Sequence, residues 1–157
     1  MTKVSIGDKA PDFTLPTDGD DTFTLSEHKG GPVVLFFYPK DDTPSCTKEA
    51  IGFSEKLTEF DAVGAKVIGM SPDPVKKHDK FRDKHNLTTT LVSDEEKTTL
   101  EAYGVWVEKS MYGKKYMGVE RTTLLVDASG TIAQAWHKVK VPGHVDEVLA
   151  ATKALVE

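Results

Sequence analysis

The stretch Val33-Val34-Leu35-Phe36-Phe37-Tyr38-Pro39-Lys40-Asp41-Asp42-Thr43-Pro44-Ser45-Cys46-Thr47-Lys48-Glu49-Ala50 decides the fold. Its first six residues are an unbroken apolar run of strand length, which reads as a buried strand. Two prolines and an Asp-Asp-Thr group then lead into a different period. Cys46, Ala50, Phe53, Leu57 and Phe60 recur every three or four residues and define one helix face. The single cysteine of the sequence sits at this strand-to-helix junction.

Outward from that unit the chain reads as alternating elements. Upstream, Ala10-Pro11-Asp12-Phe13-Thr14-Leu15-Pro16 and Phe23-Thr24-Leu25 predict two short strands around the turn Asp18-Gly19-Asp20-Asp21. That acidic turn begins like a calcium loop, but its twelfth position is Lys29, where a glutamate is required. Downstream, Ala65-Lys66-Val67-Ile68-Gly69-Met70 predicts a second buried strand. Ser71-Pro72-Asp73-Pro74 supplies a cap and a proline start for a helix over 74–85. Leu91-Val92-Ser93 predicts a short strand, and Asp94 to Tyr103 a short helix. The runs 122–126 and 131–136 predict a hairpin around Asp127-Ala128-Ser129-Gly130. A last helix from His144 places Val145, Val148, Leu149, Thr152 and Val156 on one side. Residues 104–119 read either as a long surface loop whose aromatics pack down or as a loop bordering an active site or partner contact. The order β-α-β-α, then β-β-α, predicts an α/β chain with a thioredoxin-like fold: a central mixed sheet flanked by helices, in a single domain over residues 1–157.

The 157 residues carry 25 acidic side chains against 20 Lys and Arg, a net charge of −5. That balance argues against nucleic acid or an anionic membrane as a partner. No apolar run approaches the roughly 18–20 residues of a membrane span, and the first residues lack the apolar core of a signal peptide. One cysteine fits a reducing compartment, so a cytoplasmic location is expected. One cysteine cannot build a zinc site either, and the five histidines show no paired ligand spacing. Neither a metal nor a cofactor is expected, and His85 and His137 read as surface or capping residues. Without Cys-x-x-Cys the chain is no thioredoxin-type disulfide reductase.

At the junction itself, Thr43 fits the N-cap, Pro44 the first helical position and Cys46 the third. In a capping box that third position holds Glu or Gln. Unpaired backbone N–H groups and the helix dipole there favour a thiolate, which is the nucleophilic form. Packing offers the other account of Cys46. It opens the stripe that Ala50, Phe53, Leu57 and Phe60 continue, and free cysteine is among the most buried residue types. The prolines favour the nucleophile, because they fix the backbone on approach. So does the pair Asp41 and Asp42, since both add a cost near a thiolate that packing alone does not require.

The pattern Pro39-x-x-x-Thr43-x-x-Cys46 resembles the active-site motif of the peroxiredoxins. The longer Phe37-Tyr38-Pro39-Lys40-Asp41-Asp42-Thr43-Pro44 is similar to the bacterioferritin comigratory protein, or peroxiredoxin Q, branch. The opening Gly7-Asp8-Lys9-Ala10-Pro11-Asp12-Phe13, then Tyr103-Gly104-Val105 and Gly118-Val119-Glu120-Arg121-Thr122-Thr123, resemble further parts of that branch. The resemblance implies a thiol-dependent peroxidase in antioxidant defence. Cys46 would be the peroxidatic cysteine, oxidised to a sulfenic acid by hydrogen peroxide or an organic hydroperoxide. Thr43 would offer its hydroxyl to thiolate and peroxide, Pro39 would shield the sulfur from water, and Arg121 would bring a permanent positive charge. Arg121 otherwise reads as a surface salt-bridge residue. Glu49 either orients Arg121 or is an ordinary solvated helix glutamate.

The sequence departs from the branch at Ile51, where many members carry a resolving cysteine, and at Ser45, where many carry glycine. Position 51 lies about 140° around the helix from Cys46, off the apolar stripe. With no second cysteine, the expected cycle uses an external thiol: thioredoxin, glutaredoxin with glutathione, or a small thiol. A monomer or weak homodimer is expected. A redox sensor or a holdase-type binding protein with little turnover is the competing expectation.

Overall fold

The computed structural model describes residues 4–28 and 30–156. The readings made on residues 1–3 and on Lys29 lie outside them. Among the described residues the chain forms nine strands and five helices, beginning with β1 (Thr14–Thr17) and β2 (Asp21–Thr24), whose tight connection uses left-handed Gly19 and Asp20. The run quoted above forms β3 (Val33–Phe37), which enters the sheet interior between two neighbours. β4 (Lys66–Ser71) lies parallel to it, with β5 (Thr90–Ser93) parallel on the far side of β4. β8 (Thr122–Val126) lies antiparallel on the other flank, followed by β9 (Ile132–Trp136). The order across the sheet is β2-β1-β5-β4-β3-β8-β9, a mixed sheet as expected.

Alternation along β3 builds two cores. Val33, Leu35 and Phe37 face one side with Ile68, Met70, Val92, Leu100 and Tyr103. Val34, Phe36 and Tyr38 face the other with Cys46, Phe53, Phe60, Phe81 and Val148. The second side receives α1 (Pro44–Glu55), α2 (Leu57–Ala62), α3 (Val75–His85) and α5 (His144–Val156), while α4 (Thr98–Ala102) gives Leu100 to the first. Phe36 links sheet to helix by stacking on Phe53 of α1, ring centroids 4.6 Å apart.

Three sequence expectations change. The stripe from Cys46 to Phe60 spans two helices, because the backbone leaves helical geometry at Lys56, whose carbonyl takes the N–H groups of both Glu59 and Phe60. The helix expected from Asp94 begins only at Thr98: Lys97 is left-handed, and the buried Asp94 carboxylate accepts the Leu100 N–H at 2.7 Å. The third change falls on residues 104–119, which form an antiparallel hairpin of β6 (Trp106–Met111) and β7 (Lys114–Val119). Its turn has positive φ at both Tyr112 and Gly113, the primed geometry that two-residue hairpins favour. Of its aromatics Trp106 packs on the core, but Tyr112 is 97% exposed and Tyr116 is also exposed. Among the described residues no helix is long and apolar enough to cross a membrane.

Candidate active site

Cys46 sits where the N-terminal turn of α1 meets the carboxyl end of β3. Thr43 occupies the N-cap with extended φ and ψ, and Pro44 is the first helical residue. The Thr43 side chain does not cap, however: its hydroxyl donates to the Lys40 carbonyl at 2.9 Å. No hydrogen bond joins Thr43 to Cys46 among the described residues, and Pro39 is half-buried on the same turn. Cys46 itself is 2% exposed and belongs to the apolar cluster of Ala50, Phe53 and Phe60. The packed thiol and the polar thiol are therefore one residue.

Its polar partner comes from 75 residues away, and the sheet register explains why. Thr122 pairs with Phe37 and Thr123 with Phe36, so the residue just before β8 lies beyond the end of β3, at the turn leading to α1. That residue is Arg121. Its Nη2 donates to Cys46 Sγ at 3.2 Å and its Nη1 to Glu49 Oε1 at 2.6 Å. Glu49, one turn after Cys46, is fully buried, so it is not a solvated helix glutamate. Its Oε2 has no hydrogen-bond partner among the described residues. Burial outweighs the opposing pull of Arg121 and pushes the carboxyl up to about 7. For Arg121, burial disfavours its charge, but Glu49 and Cys46 more than compensate and raise its pKa above the ordinary value.

The aspartates of the turn are placed otherwise than the sequence suggested. Asp42 pairs with Lys84 at 2.7 Å and His85 at 2.8 Å. Asp41 is buried against Tyr38 and His78. Both are matched by partners, so neither adds the cost to a thiolate that the sequence suggested. The β6–β7 hairpin leads directly into Arg121, and Lys109 of β6 lies within electrostatic reach of Arg121 and Cys46. Burial, then the Arg121 charge, lowers its pKa. The segment, read either as a surface loop with its aromatics packed down or as a loop bordering an active site, is a hairpin whose Lys109 lies within electrostatic reach of this thiol.

Two buried histidines escaped the sequence reading. His78 falls three residues from both Val75 and Phe81, on the apolar side of α3, and that spacing was the available signal. His144 shares a 2.8 Å hydrogen bond with Thr123 Oγ1 and stands edge-on to Phe53. Burial lowers its pKa. No cluster of three or more His, Cys, Asp or Glu among the described residues is placed to hold a metal ion.

A buried helix-N-terminal thiol, bonded by arginine beyond the carboxyl end of a central strand of a thioredoxin-like sheet, defines a cysteine-based redox protein. Residues 6–135 match the AhpC/TSA family. The chain is 47% identical over 154 residues to peroxiredoxin Bcp of Bacillus subtilis, covering 98% of both. Its fold superposes on a cysteine-to-serine variant of PrxQ from Xylella fastidiosa with a TM-score of 0.94 over 100% of both chains, at 39% identity. A bacterioferritin comigratory protein from Xanthomonas campestris, described for alkyl peroxide reduction activity, gives 0.88 over 92% of both chains at 46% identity. The chain belongs to the AhpC/TSA family, in its Bcp, or peroxiredoxin Q, branch, and is an enzyme of that peroxidase family. Within that branch it is a one-cysteine chain, for Cys46 is the only cysteine in its sequence.

Proposed function

We propose that this chain reduces hydrogen peroxide and organic hydroperoxides through Cys46, in a cycle completed by an external thiol. The observation that carries the reading is the guanidinium of Arg121 set 3.2 Å from the only sulfur nucleophile of the chain. Organic hydroperoxides are included because the related Xanthomonas protein is described for alkyl peroxide reduction.

The Cys46 thiolate attacks the terminal oxygen of the peroxide, the O–O bond breaks, and a proton goes to the departing oxygen. Cys46 becomes a sulfenic acid, and water or an alcohol leaves. Negative charge moves from sulfur to the leaving oxygen, and a fixed cation lowers the barrier most when it faces both positions. Arg121 fills that role, with Glu49 holding its other nitrogen. Thr43 presents its hydroxyl to the peroxide after turning from the Lys40 carbonyl, and Pro39 keeps water from the sulfur. A first external thiol then displaces water from the sulfenic acid to give a mixed disulfide. A second attacks the donor sulfur of that mixed disulfide, so the bond to Cys46 breaks, the Cys46 thiol is released and the two external sulfurs leave joined as a disulfide. The thiol is supplied by thioredoxin, by glutaredoxin with glutathione, or by a small thiol, all of them available in a reducing cytoplasm.

Intact mass after one equivalent of peroxide tests this directly. A gain of about 16 Da on Cys46, captured by a sulfenic-acid trap and cleared by one of the three reductants, is the expected result. Undiminished peroxide consumption by Cys46→Ser overturns it. A mixed disulfide with one specific protein and negligible turnover would instead identify a redox sensor.

A further inference from the structure

A second buried polar cluster lies away from Arg121, on the turn that joins β3 to α1. Both carboxylate oxygens of buried Asp41 are engaged: Tyr38 Oη donates to Oδ1 at 2.7 Å, and His78 Nδ1 lies 2.6 Å from Oδ2. The other ring nitrogen of His78, Nε2, lies 2.9 Å from the Val92 carbonyl. A carbonyl can only accept, so Nε2 carries a proton. A nitrogen 2.6 Å from a carboxylate oxygen needs a proton between them as well. Whichever atom holds that second proton, the pair has the proton count of an imidazolium and a carboxylate. His78 is fully buried, so losing the proton sets a nitrogen lone pair against a carboxylate inside the core.

The same cluster fastens the turn to three other elements. The Asp41 backbone N–H donates to Asp73 Oδ2 at 2.6 Å, and Ser71 Oγ at the end of β4 donates to the same oxygen at 2.8 Å. Lys77 of α3 donates to Asp73 Oδ1 at 3.2 Å, and Ser93 of β5 donates to the Asp73 carbonyl at 2.6 Å. The groups facing the pair are therefore Tyr38 just past β3, Asp73 with its Lys77, the Val92 carbonyl from β5 and the apolar Phe81 of α3. Asp42 is turned to Lys84 and His85.

We propose that His78 is a positioning residue for Cys46: protonated, it locks Asp41 and hence the turn that carries Pro39 and Thr43 to the sulfur, and on deprotonation it releases that turn. The inference rests on the peroxidase reading of Cys46. Burial opposes the charge on His78, and the Asp41 hydrogen bond and charge overcome it, so its pKa lies above the ordinary histidine value. The sign follows from linkage. A group whose folded pKa is raised contributes fully below its unfolded value, about 6.5, and its contribution is lost as pH rises through the folded pKa.

The test compares wild type with Asp41→Asn and His78→Gln. The amide that Asp41→Asn introduces donates to a neutral His78 Nδ1 and keeps its oxygen for Tyr38, so the hydrogen bonds survive while the shared proton is gone. Above the His78 pKa, the rate of Cys46 oxidation by hydrogen peroxide is expected to fall at least fivefold in wild type and to stay level in Asp41→Asn. His78→Gln, whose one amide cannot serve both Asp41 and Val92, is expected to be at least tenfold slower at every pH. Alkylation of Cys46 by iodoacetamide, followed in parallel, is expected to accelerate more steeply over the alkaline window in wild type than in Asp41→Asn, the rise common to both reporting thiolate formation. It reads the clamp without peroxide turnover, so a chain inert to peroxide would refute the peroxidase reading and still test His78. Identical alkaline profiles for wild type and Asp41→Asn, or ring ¹⁵N shifts showing no proton between His78 and Asp41 at pH 6, would overturn the proposal.

Discussion

Arg121 serves Cys46 and Glu49 with two nitrogens of one guanidinium, Nη2 3.2 Å from Sγ and Nη1 2.6 Å from Oε1. The planar fork suits this double duty, and an ammonium, as a point charge, does not.

Arg121→Lys therefore keeps the charge and loses the geometry. The second-order rate constant of Cys46 with hydrogen peroxide is expected to fall about 10²–10³-fold, the usual consequence of removing one preorganised donor. Stopped-flow measurement with the thiol followed by intact mass gives the number. A rate within twofold of wild type would take Arg121 out of the reaction.

Glu49 links the site to stability. Its folded pKa of about 7 lies above the ordinary 4.5, with burial the largest cause. An acid shifted upward costs stability once ionised, so the cost is absent below about 4.5 and grows until about 7. Wild type is expected to lose stability across that window, and Glu49→Gln to lose much less. Urea midpoints measured at intervals from pH 4 to 8 would show the difference, and parallel curves would contradict it.

Ile51→Cys tests whether the missing thiol could simply be restored. In a regular helix, residues five apart have Cα atoms about 8.6 Å apart, beyond the roughly 6.8 Å upper limit for a disulfide. By sequence, position 51 lies off the apolar stripe; Ile51 is half-buried and still packs against the cluster that holds Cys46. Peroxide is expected to close an internal disulfide in the variant only together with a loss of far-UV helix signal. Disulfide formation with unchanged helicity would refute the geometry.

Gly69 of β4 tests how tightly the sheet supports the thiol helix. A Cβ there would meet Phe36 ring atoms at 2.6, 3.0 and 3.1 Å, and Phe36 is stacked on Phe53 of α1. Gly69→Ala is expected to destabilise the fold by about 1–3 kcal/mol, as overpacking of a closed core does. A thermal midpoint equal to wild type would show that Phe36 can yield.

Much of this was legible in residue order. The strand at 33–37, the helix after Thr43 and the placement of Cys46 at its third position follow from an apolar run, two prolines and a period of three to four. The β6–β7 hairpin was not legible as strands, because its turn is Tyr112-Gly113 rather than an Asn-Gly or Asp-Gly pair, and its exposed aromatics resemble loop residues that fold down. The helix break at Lys56 was hidden by an apolar stripe that runs through it unchanged.

The sequence by itself determined that a thiol would stand at a helix start after a core strand, and that no second cysteine could answer it. It named Arg121, Thr43 and Pro39 only through resemblance. Local pattern cannot state a distance between residues 75 positions apart, and that distance is set when β8 pairs antiparallel with β3 and delivers Arg121 to the turn. Tertiary structure alone decided that Glu49 is buried, that Asp41 faces His78 instead of the thiol, and that the 104–119 segment borders the site. In each case the deciding quantity is what a side chain meets across the sheet, and helix and strand periodicity carry no record of it.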